Sequence, residues 1–263
     1  MQLPIYIINA FTDKPFSGNP AAVVPLDEWL EETQMQQIAS QNNLSETAFV
    51  KQTGPQDYHI RWFSPLTEID FCGHASLASA FMLFNYLGVN QDVSFYADAV
   101  GKFIVAQKDN GLIEMTFEQQ IANEVMNVPQ ALLCGLSAKP ERVYRNRQAY
   151  IAVFDSESTV RTLTYDCQSL KRLAPYDVCV TAPGDHVDFV SRYFWPANGG
   201  DEDPVTGSIH SALAPYWSKR LGKEQLVARQ VSGREGLLYC NVIDDKVKVA
   251  GHAAPFLQGT LTL

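Results

Sequence analysis

Two stretches of this chain, residues 57–74 and 188–208, are written to one pattern. The first runs Asp57-x-x-x-Arg61-Trp62-Phe63-x-Pro65, and then Gly73-His74-Ala75 opens an apolar run that closes at Leu87-Gly88. The second runs Asp188-x-x-x-Arg192-Tyr193-Phe194-x-Pro196, and then Gly207-Ser208 opens a run that closes at Leu221-Gly222. The two Gly-to-Gly spans have the same length, and the copies lie about half a chain apart. A duplicated fold buries each core separately and leaves a cleft between the halves. Two helix N-termini related by a pseudo-twofold axis could both point into that cleft, so chemistry is expected there.

The chain has 263 residues, enough for one large domain or two of common size; the repeat favours two. Residues 1–118 form the expected N-terminal lobe, joined by 256–263, and 119–255 form the C-terminal lobe, with 119–128 as the crossover. Ile5–Phe11 and Ala21–Val24 read as strands, as do Thr47–Val50 and Tyr58–Phe63. Asp27 is placed to cap a helix carrying Trp29, Leu30, Met35, Ile38 and Ala39 at near-helical spacing. A helix from about Ala75 to Leu87 is apolar almost all round, which predicts a central helix wrapped by sheet. The second half repeats this order, with a helix expected over 208–221. Short strands followed by other strands give an α+β class. Each domain is expected to be a curled mixed or mainly antiparallel sheet around one central helix.

Hydrophobic residues make up 46% and charged residues 19% of the chain, an ordinary globular balance. A net charge of −9, with no basic run, argues against nucleic acid as a partner. The longest apolar stretch, Ala75–Phe84, is far shorter than the about 18–20 residues a membrane span needs, so no membrane partner is expected. The N-terminus lacks a basic leader and the five scattered cysteines form no C-x-x-C pair. Both observations point to reduced thiols and a cytoplasmic setting.

Gly73 and Gly207 open their helices at matched positions, where backbone N–H groups and the helix dipole favour an anion such as a carboxylate. Each glycine alone reads more readily as a permissive turn residue; the matched pair favours the binding role. Cys72 precedes Gly73, and its counterpart is Thr206. A thiol at a helix N-terminus can serve as acid or base, but a two-thiol epimerase needs a second thiol that Thr206 cannot supply. A small buried apolar residue is the favoured reading of Cys72. Glu46 stands at a strand start and, by the offset that relates Asp57 to Asp188, matches Asp177. In Asp201-Glu202-Asp203-Pro204-Val205-Thr206-Gly207-Ser208, three acids crowd a helix start where Asp203 or Thr206 could cap. His74 is placed to donate a proton or hydrogen bond near neutral pH, although semi-buried structural histidines are commoner, and His210 is weaker still. No metal site is expected, because no His/carboxylate grouping has ligand spacing. Neither G-x-G-x-x-G nor a Walker-type loop occurs.

The run Ala10-Phe11-Thr12-Asp13-x-Pro15-Phe16-x-Gly18-Asn19-Pro20-Ala21-Ala22-Val23-Val24 resembles the opening of the PhzF, or phenazine biosynthesis-like, family. So do Asn43-Leu44-Ser45-Glu46-Thr47-Ala48-Phe49, Phe71-Cys72-Gly73-His74-Ala75 and the acidic run ending at Ser208. Asn9 and Ser76 depart from the usual aspartate and threonine. The resemblance covers essentially the whole chain and implies a diaminopimelate epimerase-like fold of two pseudo-symmetric domains with the site between them. It also implies cofactor-independent isomerase chemistry on a small carboxylate, and a homodimer. Glu46 would shuttle a proton, His74, Asp203 and Ser208 would assist, and Gly73 and Gly207 would hold the carboxylate. The alternatives are an epimerase using Cys72 against a non-thiol partner, and a non-catalytic ligand-binding or interaction module.

Overall fold

The computed structural model describes every residue, Met1–Leu263, and divides into two compact units. The first comprises Met1–Thr116 with Ala250–Leu263, and the second Phe117–Val249.

In the first unit, β1 (Gln2–Ala10) lies antiparallel to β2 (Asn19–Leu26) on one side and to the C-terminal strand Ala253–Thr262 on the other. Helix α1 (Glu32–Asn42) follows, then β3 (Glu46–Gln52), which runs parallel to β2 with Glu46 beside Ala21. Next come β4 (Asp57–Phe63), antiparallel to β3, and the two-residue β5 (Glu68–Ile69) paired back on β4. After α2 (Gly73–Tyr86), β6 (Val93–Ala97) adds parallel to β4, and β7 (Gly101–Gln107) and β8 (Ile113–Glu118) continue antiparallel.

The central strands are buried on both faces, which is why they read as continuous apolar runs. Ala22, Val24, Phe49 and Phe63 pack with Met35, Ile38 and Ala39 of α1 in one core cluster. The alternate residues Ala21, Val23, Ala48 and Val50 are also buried and point the other way. That face meets α2, which packs on β1, β2, β3, β7 and the C-terminal strand. Every α2 residue from Gly73 to Phe84 except Phe81 is buried, as its all-round apolar sequence requires.

The second unit begins with β9 (Asn123–Glu124), α3 (Gln130–Gly135), β10 (Arg142–Arg145) and β11 (Ala149–Val153). It continues through α4 (Glu157–Thr162), α5 (Cys167–Lys171), β12 (Asp177–Pro183), β13 (Phe189–Phe194) and β14 (Glu202–Asp203). Helix α6 (His210–Leu221), β15 (Gln225–Gln230), β16 (Gly236–Ile243) and β17 (Lys246–Gly251) complete it. β11 and β12 are parallel, with Ala149 beside Asp177; β12–β13 and β13–β14 are antiparallel; β13–β15 is parallel and β15–β16 antiparallel. This is the sequence of pairings β2–β3, β3–β4, β4–β5, β4–β6 and β6–β7, in the same directions. The sequence echo is therefore a repeat of sheet register within each unit.

The repeated Arg residues explain the motif. Arg61 donates through Nε and Nη2 to both carboxylate oxygens of Glu68, each at 2.6 Å, and Arg192 does the same to Glu202, each at 2.8 Å. Each fork ties the short strand ahead of the helix to its neighbour (β5 to β4, β14 to β13) and so fixes the loop that enters the helix.

One local expectation is corrected, and the structure adds elements to two other segments. Asp27 does not cap α1: the N-cap is Glu31, without a side-chain cap bond, and Trp29 and Leu30 reach the same core from the segment before the helix. The segment 119–128 carries β9. The short helices α3, α4 and α5 were not expected. Pro215 inside α6 donates no hydrogen bond to Ser211, and the freed Ser211 carbonyl accepts the Gln120 N–H at 3.0 Å.

Candidate active site

In the first unit three element starts converge. Glu46 is the first residue of β3, Asn19 the first of β2, and His74 the second of α2, with Cys72 as its extended N-cap. The approach depends on Gly18, whose φ of +69° and an ideal Cβ only 2.3 Å from the Ala10 carbonyl admit no other residue without a shift. Glu46 is only 7% exposed, and its Oε2 lies 3.0 Å from His74 Nε2. Asn19 Nδ2 lies 3.1 Å from His74 Nδ1, and Ser45 Oγ donates to Asn19 Oδ1 at 3.4 Å. With the Asn19 amide donating, Nδ1 is the acceptor, so the neutral imidazole carries its proton on Nε2. Ser45, Asn19 and His74 thus form one hydrogen-bonded chain, and Glu46 Oε2 lies 3.0 Å from its end without meeting hydrogen-bond geometry.

Cys72 Sγ lies 3.3 Å from His74 Nδ1 and 3.9 Å from Nε2. Glu46, Cys72 and His74 together bring three ligand-type atoms within 4.8 Å of one another, a grouping their sequence spacing does not announce. Cys72 Sγ is thus within 4 Å of both ring nitrogens, and the carboxylate lies 3.0 Å from Nε2.

In the second unit the acidic run is sorted by partner. Asp201 is exposed and accepts from Tyr165 Oη at 2.8 Å and Cys167 Sγ at 3.0 Å. Glu202 sits in the Arg192 fork. Asp203 accepts the Thr206 hydroxyl through Oδ2. Gln230 braces the same turn, its Oε1 accepting Thr206 N–H at 2.8 Å and its Nε2 donating to the Asp203 carbonyl at 2.6 Å. Gly207 carries the carbonyl that accepts His210 N–H at 3.1 Å, so a helical turn begins there although α6 proper starts at His210. Ser208 is half-buried, and its Oγ accepts from Gln148 Nε2 at 3.0 Å. Thr206, the counterpart of Cys72, serves here to hold Asp203.

His210 is a structural residue. Its Nδ1–H donates to the Thr206 carbonyl at 2.9 Å, and its ring packs 5.8 Å from that of Phe189. Burial pushes its pKa down to about 4 from an ordinary 6.5. A depressed histidine keeps its full stabilising effect above pH 6.5. As pH falls from 6.5 toward 4 the unfolded chain takes up a proton that the folded chain refuses, so stability drops, by about 3 kcal/mol at most. Chemical denaturation from pH 7.5 to 4 should show this slope in the wild type and lose it in His210→Gln; an unchanged slope would assign acid sensitivity elsewhere.

The structure thus gathers Glu46, Cys72, Gly73 and His74 in one group and Asp203, Thr206, Gly207 and Ser208 in another. Sequence reasoning gave no role to Asn19, Ser45, Gln148, Tyr193 or Gln230. Asn19 and Ser45 lie in recognisable motifs and could have been found there; Gln148 has no local signal.

The arrangement of strands around a helix, twice over, matches that of a hydroxyproline epimerase from Agrobacterium vitis, with a TM-score of 0.61 over 99% of this chain and 92% of the other, at 8% identity. That likeness concerns fold alone and places the chain among racemase- and epimerase-fold proteins. The chain belongs to the phenazine biosynthesis-like protein family (PhzC-PhzF), whose pattern it matches over residues 8–259. A PhzF-family phenazine biosynthesis protein from Enterococcus faecalis superposes with a TM-score of 0.95 at 43% identity, covering all of both chains. A protein of Pseudomonas aeruginosa named as an uncharacterized isomerase is 44% identical over the full length of both. No helix is long and apolar enough to cross a membrane.

Proposed function

We propose that this chain is a cofactor-independent isomerase that removes a proton from carbon in a small carboxylate and returns it to another carbon, with Glu46 as the carrier. The observation that carries this reading is the buried pair of Glu46 Oε2 and His74 Nε2, 3.0 Å apart. The carboxylate is enclosed beside the ring, and its Oε2 accepts no hydrogen bond and is free to take the proton. Asn19 holds His74 with its proton on Nε2, so that nitrogen does not compete for the substrate proton. Gly73 N–H at the α2 start, and Gly207 N–H with the Ser208 hydroxyl at the second helix start, are assigned to anionic substrate oxygens. Asp203, oriented by Thr206, is assigned as the supporting acid.

A second reading has its own observation: Cys72 Sγ, 3.3 Å from His74 Nδ1, could itself remove a proton in an epimerisation. Incubation in D2O with a panel of small hydroxy, oxo and amino acids, followed by proton NMR, separates the two. Relocation of a hydrogen with retained facial selectivity supports the glutamate shuttle. Deuterium incorporated with inversion, and lost in Cys72→Ala, would replace it by the cysteine mechanism.

A further inference from the structure

Asp177 is a half-buried acid that the proposed chemistry leaves unused, and it occupies the position of Glu46 in the other repeat. Both are the first residue of the later strand of a parallel pair, Glu46 beside Ala21 and Asp177 beside Ala149. The residues around it repeat the logic found in the first unit. There an amide side chain at the start of the earlier strand, Asn19, meets the residue after the helix-opening glycine, His74. Here an amide just before the earlier strand, Gln148, meets the residue after Gly207, Ser208.

We propose that Asp177, Tyr193 and Gln148 form a positioning relay that holds the Ser208 hydroxyl as a hydrogen-bond donor to a small carboxylate. This rests on the assignment of Ser208 to an anionic substrate oxygen. Tyr193 Oη donates to Asp177 Oδ2 at 2.7 Å, so its oxygen is left to accept, and Gln148 Nε2 donates to it at 2.9 Å. The second hydrogen of Nε2 goes to Ser208 Oγ at 3.0 Å. Both amide hydrogens are then committed, and the Ser208 hydrogen must point away from Gln148. The direction of every bond follows from Asp177 being an acceptor. Asn198 Nδ2 donates to Asp177 Oδ1 at 2.7 Å and holds the carboxylate in place.

Burial raises the Asp177 pKa, and the Tyr193 and Asn198 hydrogen bonds oppose that rise. Tyr193, itself pushed well up by burial, stays neutral. Tyr193 on β13 and Asn198 on the turn after it meet this carboxyl, Cys179 on β12 lies near Tyr193, and Arg145 on β10 reaches the neighbouring Tyr176. The Cys179 thiol is pushed up by burial, and Arg145 is stacked over Tyr150 and Tyr176. Asp203, which accepts the Thr206 hydroxyl, and His210 on α6 are the other titratable groups of the Ser208 segment. Protonating Asp177 weakens the acceptor that holds the Tyr193 hydrogen, and with it the placement of Gln148, so the Ser208 hydroxyl is held less firmly as pH falls.

The test uses the full chain and trifluoroacetate, a carboxylate that stays ionised throughout, followed by fluorine NMR and by the Gly207 and Ser208 amide resonances at fixed ionic strength. Gln148→Met and Ser208→Ala should each weaken binding about tenfold, the scale of one hydrogen bond to a charged group, and the double variant should be no weaker than either. Wild-type affinity should fall as pH drops through a carboxyl titration above the ordinary aspartate range, with a flat profile in Asp177→Asn and Tyr193→Phe. His210→Gln should keep the step. Additive losses, an unchanged step in Asp177→Asn, or no response of Gly207 and Ser208 to the probe would overturn the relay. Glu46→Gln should bind the probe normally. Coupling that holds while no carbon acid exchanges in D2O would fault the proton-transfer reading and leave the relay standing.

Discussion

Glu46→Gln is expected to lower proton transfer by about 10²–10⁴-fold, the usual contribution of a positioned general acid or base, with little effect on folding. Glutamine has the shape of glutamate, and its amide oxygen can occupy the place of Oε2, 3.0 Å from His74 Nε2. The substitution therefore removes basicity and leaves packing nearly unchanged at a side chain only 7% exposed. Glu46→Asp should fall between the two, because shortening by one methylene pulls the carboxylate back from both histidine and substrate. Exchange of a carbon-bound hydrogen in D2O reads the rate, and thermal melting confirms the fold. His74→Asn should cost less than Glu46→Gln, since it loosens the carboxylate without deleting it. Full exchange by Glu46→Gln would remove this residue from the mechanism and shift attention to Cys72.

Much of this site was legible in the chain, for physical reasons that differ by residue. The repeated Asp-x-x-x-Arg-aromatic-Phe spacing reports sheet register: its arginine must sit where a short return strand offers a glutamate, as Glu68 and Glu202 do. Helix α2 announced itself through an apolar sequence on all faces, because a helix enclosed by strands has no wet side. Glu46, His74 and the glycines sit at element starts, where turn residues and strand patterns change together. The residues that organise them were not legible in the same way. Asn19 reaches His74 across 55 positions and Gln148 reaches Ser208 across 60, and no local periodicity encodes a contact at such separation. Asp177 was matched to Glu46 by the offset alone. What gives that match content is the parallel register of β11 with β12, a long-range pairing. The crowd of acids at 201–203 shows the opposite limit. Composition suggested a shared purpose, whereas three partners from different elements give each carboxylate its own role.

Arg192→Met should be the most destabilising of the changes considered, costing about 3–5 kcal/mol, the range for removing one partner of a buried ion pair. Arg192 is 9% exposed. Beyond its fork to Glu202, its Nη1 donates to the Val160 carbonyl at 3.1 Å and the Leu163 carbonyl at 2.6 Å. The guanidinium also lies 5.1 Å from the centre of the Phe194 ring. Methionine would fill part of the volume but strand a half-buried carboxylate and two backbone acceptors, and each such orphan bears a desolvation cost. For a chain of this size the loss corresponds to a fall in melting temperature of roughly 10 °C. Arg61→Met, at the matching position, should cost about 1 kcal/mol, because its partners Glu68 and Glu32 are 35% and 71% exposed and water compensates them. Adding Glu202→Leu to Arg192→Met should recover much of the loss, since the stranded carboxylate is then gone. The same fork fixes β14 and with it Asp203, so the single variant should lose activity beyond what its unfolded fraction explains. Melting within a degree of the wild type, or no recovery in the double variant, would show that the second fork is an accessory to the register and not its clamp.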